Sequence, residues 1–134
     1  MKAKMVLFLS VILFLFSCKE ESNDELIFDF GQETEFQIFR EYLSGAHDLR
    51  FTIADVNDSR CPDGAMCIWA GEVEVKIAIE KPVVDTVSLK LPGETIGNSG
   101  IYNFGLVEVS PYPVVGKEIR TKDYMVLLKI TKQD

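Results

Sequence analysis

EVEVKIAIE, residues 72–80, decides the fold class. Val73, Val75, Ile77 and Ile79 fall on one side of an extended chain, with Glu72, Glu74 and Lys76 on the other. This alternation marks a strand with one buried and one wet face, as in an antiparallel sheet. Working outward, DTVSLKL (Asp85–Leu91) repeats it after a short connection containing Pro82. LRFTIADV (Leu49–Val56) sets Leu49, Phe51 and Ile53 against Arg50 and Thr52. LIFDF (Leu26–Phe30) reads as a first strand ending at Gly31, and Tyr102–Ser110 as a late one. YMVLLKIT (Tyr124–Thr131) closes the chain, and its apolar run predicts a central strand covered on both faces.

Two segments are less plain. In EFQIF (Glu35–Phe39) the residues Phe36, Phe39 and Leu43 have helical spacing, and Thr34 to Gln37 fits a capping box. Phe36-Gln37-Ile38 nevertheless alternates, which favours a strand. LPGETIGNSG (Leu91–Gly100) carries PG, GN and SG breakers and reads as loop. VSPYPVVG (Val109–Gly116) ends a strand in a two-proline turn, with Tyr112–Pro113 a candidate cis bond. About seven short strands without a helix imply an all-β fold, an antiparallel β-sandwich or a small barrel. Immunoglobulin-like applies only loosely, because both loop cysteines, Cys61 and Cys67, lie within one connection.

The chain opens differently. Lys2 and Lys4 precede an unbroken apolar run, Met5–Phe16. As a helix that run rises about 18 Å, against a hydrocarbon core of roughly 30 Å, so it reads as a secretory signal rather than a span. LFSC (Leu15–Cys18) follows. It resembles the lipobox of bacterial lipoproteins, in which the cysteine is lipidated and becomes the new N-terminus. The resemblance implies a signal peptide at residues 1–17 and acyl chains on Cys18. Cys-Lys-Glu-Glu is similar to an acidic tag that some Gram-negative bacteria use to place lipoproteins on the outer face of the outer membrane. Residues 18–25 are then the anchor and an acidic flexible tether, and 26–134 a single β domain. Two or more acyl chains anchor stably where one holds only reversibly.

Loss of Lys2 and Lys4 takes the formal charge from −7 to −9. A surface so acidic, without a basic run, argues against nucleic acid. With Cys18 assigned to lipid, Cys61 and Cys67 are most simply a disulfide in an oxidising compartment. They sit in DSRCPDGAMCIWAG, residues 58–71, beside the only tryptophan of the chain. The stretch reads as a clamp, with Pro62 and Gly64 turning the ring and Trp69 laid across the open edge of the core. A loop that also recognises a ligand is the competing reading. The motif resembles one found in small secreted or lipid-anchored bacterial domains, DSRCP…C.WAG, and the later PYP and DY segments look similar to that group too. The resemblance implies a shared fold and supplies no function.

Catalytic chemistry has little to stand on. The five-residue gap between Cys61 and Cys67 differs from the Cys-X-X-Cys spacing of a redox pair, and no helix follows. Two cysteines and the single histidine, His47, do not complete a zinc site, and Asp55, Asn57, Asp58 and Asp63 lack EF-hand spacing. His47 reads as a loop residue with no nucleophile motif nearby. No catalytic residue, metal or cofactor is expected. Trp69, Tyr102, Tyr112 and Arg60 are the candidate ligand contacts, with Tyr42 a weaker one. The expected function is non-catalytic: a monomeric envelope lipoprotein that binds or supports a protein or glycan partner. The alternatives are a small protease inhibitor presenting the Cys61–Cys67 ring with Arg60 or Met66 exposed, or a small envelope enzyme.

Overall fold

The alternating run at 72–80 forms a strand whose Val73, Val75, Ile77 and Ile79 are buried to within about one per cent. The computed structural model describes residues 26–134. The expected signal peptide, Cys18 and the tether lie outside the described residues. Nine strands follow one another: β1 (Leu26–Phe28), β2 (Glu33–Gln37), β3 (Glu41–Ser44), β4 (Arg50–Asp58), β5 (Val73–Lys81), β6 (Asp85–Leu91), β7 (Ile96–Ser99), β8 (Tyr102–Ser110) and β9 (Met125–Lys132). A single 3-10 turn, Thr121–Asp123, precedes β9.

The strands make two sheets, ordered β1-β3-β4-β5-β6 and β2-β9-β8-β7, and neither closes into a barrel. Their inner faces share one core. Phe51 on β4 is its hub, with ring centroids of Phe28, Phe36, Tyr42 and Phe104 between 5.2 and 5.8 Å away. Three of these pairs meet edge to face, the arrangement aromatic quadrupoles prefer.

The structure corrects several expectations. Strands β3 and β7 raise the count from seven to nine. β7 lies inside the stretch read as loop; its Gly97 sits so close to β6 that a Cβ would fall 2.5 Å from Val87 Cγ1. β7 is therefore held by its ladder to β8 and by backbone approach to β6, not by apolar alternation. The first sheet is mixed, because β1 pairs in parallel with β3. β9 is central but buried on one face only: Val126, Leu128 and Ile130 point inward while Lys129 is exposed. Glu33–Gln37 is a strand, as favoured, with Phe36 inside. The cis bond of the two-proline turn is Ser110–Pro111, not Tyr112–Pro113. His47 is an exposed loop residue.

Truncating the hub removes contacts to both sheets. Phe51→Ala should lower stability by about 3–5 kcal/mol, read as a reduced urea midpoint with an unchanged m-value.

Candidate functional site

The connection from β4 to β5 begins as an extension of their ladder. Ser59 N–H donates to Glu72 O at 2.8 Å, and Cys61 N–H to Ala70 O at 2.7 Å. Gly71 has φ of 74°, and a Cβ there would lie 2.0 Å from Ser59 O, so only glycine lets the chain re-enter β5 this closely. Beyond this root the Cys61–Cys67 disulfide closes the ring, with Cα atoms 5.9 Å apart. Inside it Ala65 N–H donates to Pro62 O at 3.0 Å, making the turn at Pro62 and Gly64.

A second restraint sits beneath the ring. Arg60 meets Asp58 through two parallel bonds, Nε to Oδ1 at 2.8 Å and Nη2 to Oδ2 at 2.6 Å. The side chains are only 11% and 4% exposed. The remaining guanidinium donors cross to the other sheet, reaching Val109 O at 2.9 Å and Pro111 O at 3.2 Å. The Tyr124 hydroxyl donates to Asp58 Oδ2 at 3.1 Å, and the Tyr112 hydroxyl to Cys61 O at 3.1 Å. The Tyr112 ring also lies 4.6 Å from the Arg60 guanidinium carbon. Asp63 completes the junction: its N–H donates to Pro113 O, and its carbonyl accepts from Val115 N–H. The DSR, PYP and DY segments, far apart in sequence, meet here.

Burial pushes the Asp58 carboxyl up, but the Arg60 hydrogen bonds and charge outweigh it and hold it below its ordinary value. Burial, the Asp58 charge and the bond to Asp58 push Tyr124 up to about 12. At neutral pH Asp58 is a carboxylate, Arg60 a guanidinium and Tyr124 a neutral phenol.

The expected contact residues separate into two groups. Arg60 is committed to Asp58 and the opposing carbonyls, and Tyr112, though half exposed, to Cys61 and Arg60. Tyr102 is 2% exposed and stacks on Phe30, and Tyr42 is also buried, so both belong to the core rather than to a contact surface. Both side chains lie on inner faces, of β8 and β3. Trp69 is 66% exposed, which corrects the expectation that its indole covers the core edge. Met66 and Ile68 beside it are fully exposed, and Val115 on the bridged loop is half exposed. No hydrogen bond joins the backbone of residues 66–69 to the rest of the described chain. Ile68 and Val115 were not legible as site residues; their only signal was apolar chemistry in segments rich in turn formers. An open cleft of about 510 Å³ between the loops is lined by Pro62, Asp63, Ala65, Tyr112 and Val114. Among the described residues no three His, Cys, Asp or Glu side chains converge as a metal set.

Comparison with protein-family models, curated proteins and solved structures finds no match to the chain.

Two outcomes follow from the junction. A carboxyl held below its unfolded value stabilises fully above the ordinary carboxylate range and loses that contribution as pH falls through the folded value. Asp58→Asn strands a mostly buried guanidinium, so it should cost about 3 kcal/mol near neutrality. It should also flatten the loss of stability below about pH 4 in urea unfolding across pH. Replacing Cys61 and Cys67 together by serine opens a ring of about seven residues and should cost about 1–3 kcal/mol. Non-reducing peptide mapping of the wild type checks the linkage.

Proposed function

We propose that the chain is a non-catalytic lipoprotein of the cell envelope, anchored to the outer membrane through Cys18, that binds or supports another envelope component through the loop carrying the Cys61–Cys67 ring. One observation carries the reading: a clamped, disulfide-closed loop presents Met66, Ile68 and Trp69 to solvent while Asp58 and Arg60 at its root are turned inward. Exposed apolar side chains on an isolated tip are costly in water and useful in a contact. A loop already held rigid loses little entropy when it docks. The core and the clamp account for Tyr102, Tyr42, Tyr112 and Arg60, which leaves Trp69 as the uncommitted one of the expected contact residues.

A second reading has its own observation. Residues 66–69 offer free backbone groups next to a disulfide, the requirement for adding a strand to a protease groove. In that reading Met66 faces the protease, because Arg60 is committed to Asp58. Inhibition of a purified protease, lost on Met66→Asp, would favour it.

Two measurements test the main reading. Cys18→Ser should shift the protein from the membrane to the soluble fraction or block its maturation, and an unmodified Cys18 in the mature wild type would refute the anchor. A photoactivatable residue at Ile68 should yield discrete products with envelope components in intact cells. The same probe at Val84, also exposed, at the far turn between β5 and β6, should not. Identical products from both positions would remove the tip from the account.

A further inference from the structure

We infer that the ring tip docks into the surface of the lipid bilayer that holds the anchor, seating Met66, Ile68 and Trp69 in its interfacial zone. The inference rests on the lipid-anchored reading above and names the partner of the same site.

Strand direction supplies the first argument. β4 runs from Arg50 toward Asp58, so its end carries the ring. β3 is antiparallel to β4, and β1 is parallel to β3. β1 therefore runs away from the ring, so its first residue, Leu26, is its end toward the ring. Leu26 pairs with Tyr42, which pairs with Phe51. From Phe51 to Asp58 the strand climbs about 23 Å at roughly 3.3 Å per residue. The eight steps from Leu26 back to Cys18 span at most about 28 Å. A fully extended tether thus brings an acylated Cys18 just past the level of Asp58, at the root of the ring, so a bilayer surface at Cys18 meets the ring that projects beyond it.

The chemistry of the tip supplies the second. Gly64–Gly71, read as GAMCIWAG, holds no charged side chain. Its one side-chain hydrogen-bond donor of strength is the Trp69 indole. Met66 and Ile68 are fully exposed, Trp69 two-thirds exposed, and Val115 stands on the loop bridged to Asp63. An amphipathic ring among aliphatic side chains is the composition that settles between headgroups and acyl chains. The electrostatics set the lipid. With a formal charge of −9 after loss of Lys2 and Lys4, the domain is repelled by anionic headgroups, so insertion is driven by apolar burial into a zwitterionic surface. The guanidinium that could have met a phosphate, Arg60, is already held by Asp58.

Trp69 is the only tryptophan, so its fluorescence reports the tip alone. The full mature lipidated protein would be reconstituted into phosphatidylethanolamine–phosphatidylcholine vesicles, with flotation and intact mass recorded on the same sample. The expected result is co-flotation, a blue shift of the emission and quenching by lipids brominated near the headgroup. Ile68→Asp should abolish shift and quenching without moving the melting temperature, because that side chain touches no core. Added anionic lipid should weaken both signals. Co-flotation with a water-exposed, unquenched Trp69 would overturn the inference while sparing the anchor, and would turn the tip toward a protein groove. Quenching that survives Ile68→Asp would overturn it as well. Failure to float with an unmodified Cys18 would overturn the anchored reading and this inference together.

Discussion

The mostly buried ion pair of Asp58 and Arg60 is the constraint around which the ring end of the sandwich is arranged. A guanidinium removed from water needs a partner for nearly every donor, and leaving one charge unpaired costs far more than the pair itself contributes. Arg60 meets that requirement with the two oxygens of Asp58 and the carbonyls of Val109 and Pro111, so the pair spans the two sheets. The position of the β8–β9 connection follows from it. Tyr112 can then cover the guanidinium and reach Cys61 O, and Tyr124 can close the remaining side of Asp58. The disulfide acts one level further out, on a loop whose root is already fixed.

This arrangement divides labour along DSRCPDGAMCIWAG. Its charged residues at the root face inward and hold the sheets together, and its apolar residues at the tip face outward with nothing to hold. A stiff support and an uncommitted apolar end are the two properties a contact loop needs, because binding then adds burial without a large ordering cost. The opposite end of the domain is secured separately. There the Asp48 carboxylate accepts hydrogen bonds from the Lys132 ammonium and the Ser44 hydroxyl, which hold its carboxyl down to about 2 and tie the β3–β4 turn to the end of β9. Both ends of the core are thus fastened by carboxylates held below their ordinary pKa.

Much of the fold was legible because the sequence alternates where the sheets are thick. β5, β6 and β8 announce themselves by period two, and the strand reading of Glu33–Gln37 follows from Phe36-Gln37-Ile38. β7 was not legible: Ile-Gly-Asn-Ser has no buried face, and only its ladder to β8 and the closeness of Gly97 to Val87 make it a strand. The parallel register of β1 on β3 is a tertiary choice that three residues cannot encode. At the site, the disulfide was legible from two cysteines close in sequence and the oxidising compartment expected for them. The exposure of Trp69 was not, since an indole next to a core edge and one pointing into solvent share the same local sequence. Tyr102 was misplaced for the converse reason: alternation gives two faces, and packing alone says which one is wet. The convergence of Asp58 and Arg60 with Tyr112 and Tyr124 spans up to 66 positions of sequence and leaves no local trace.

The central claim is that Asp58 and Arg60 act as one unit that closes the ring end of the sandwich. A double-mutant cycle with Asp58→Asn, Arg60→Met and the combined variant, followed by urea unfolding at neutral pH, tests it most directly. The account predicts strong coupling, about 2 kcal/mol or more, with the double variant less damaged than the sum of the singles. Effects that add to within about 0.5 kcal/mol would show two independent surface residues and contradict the account.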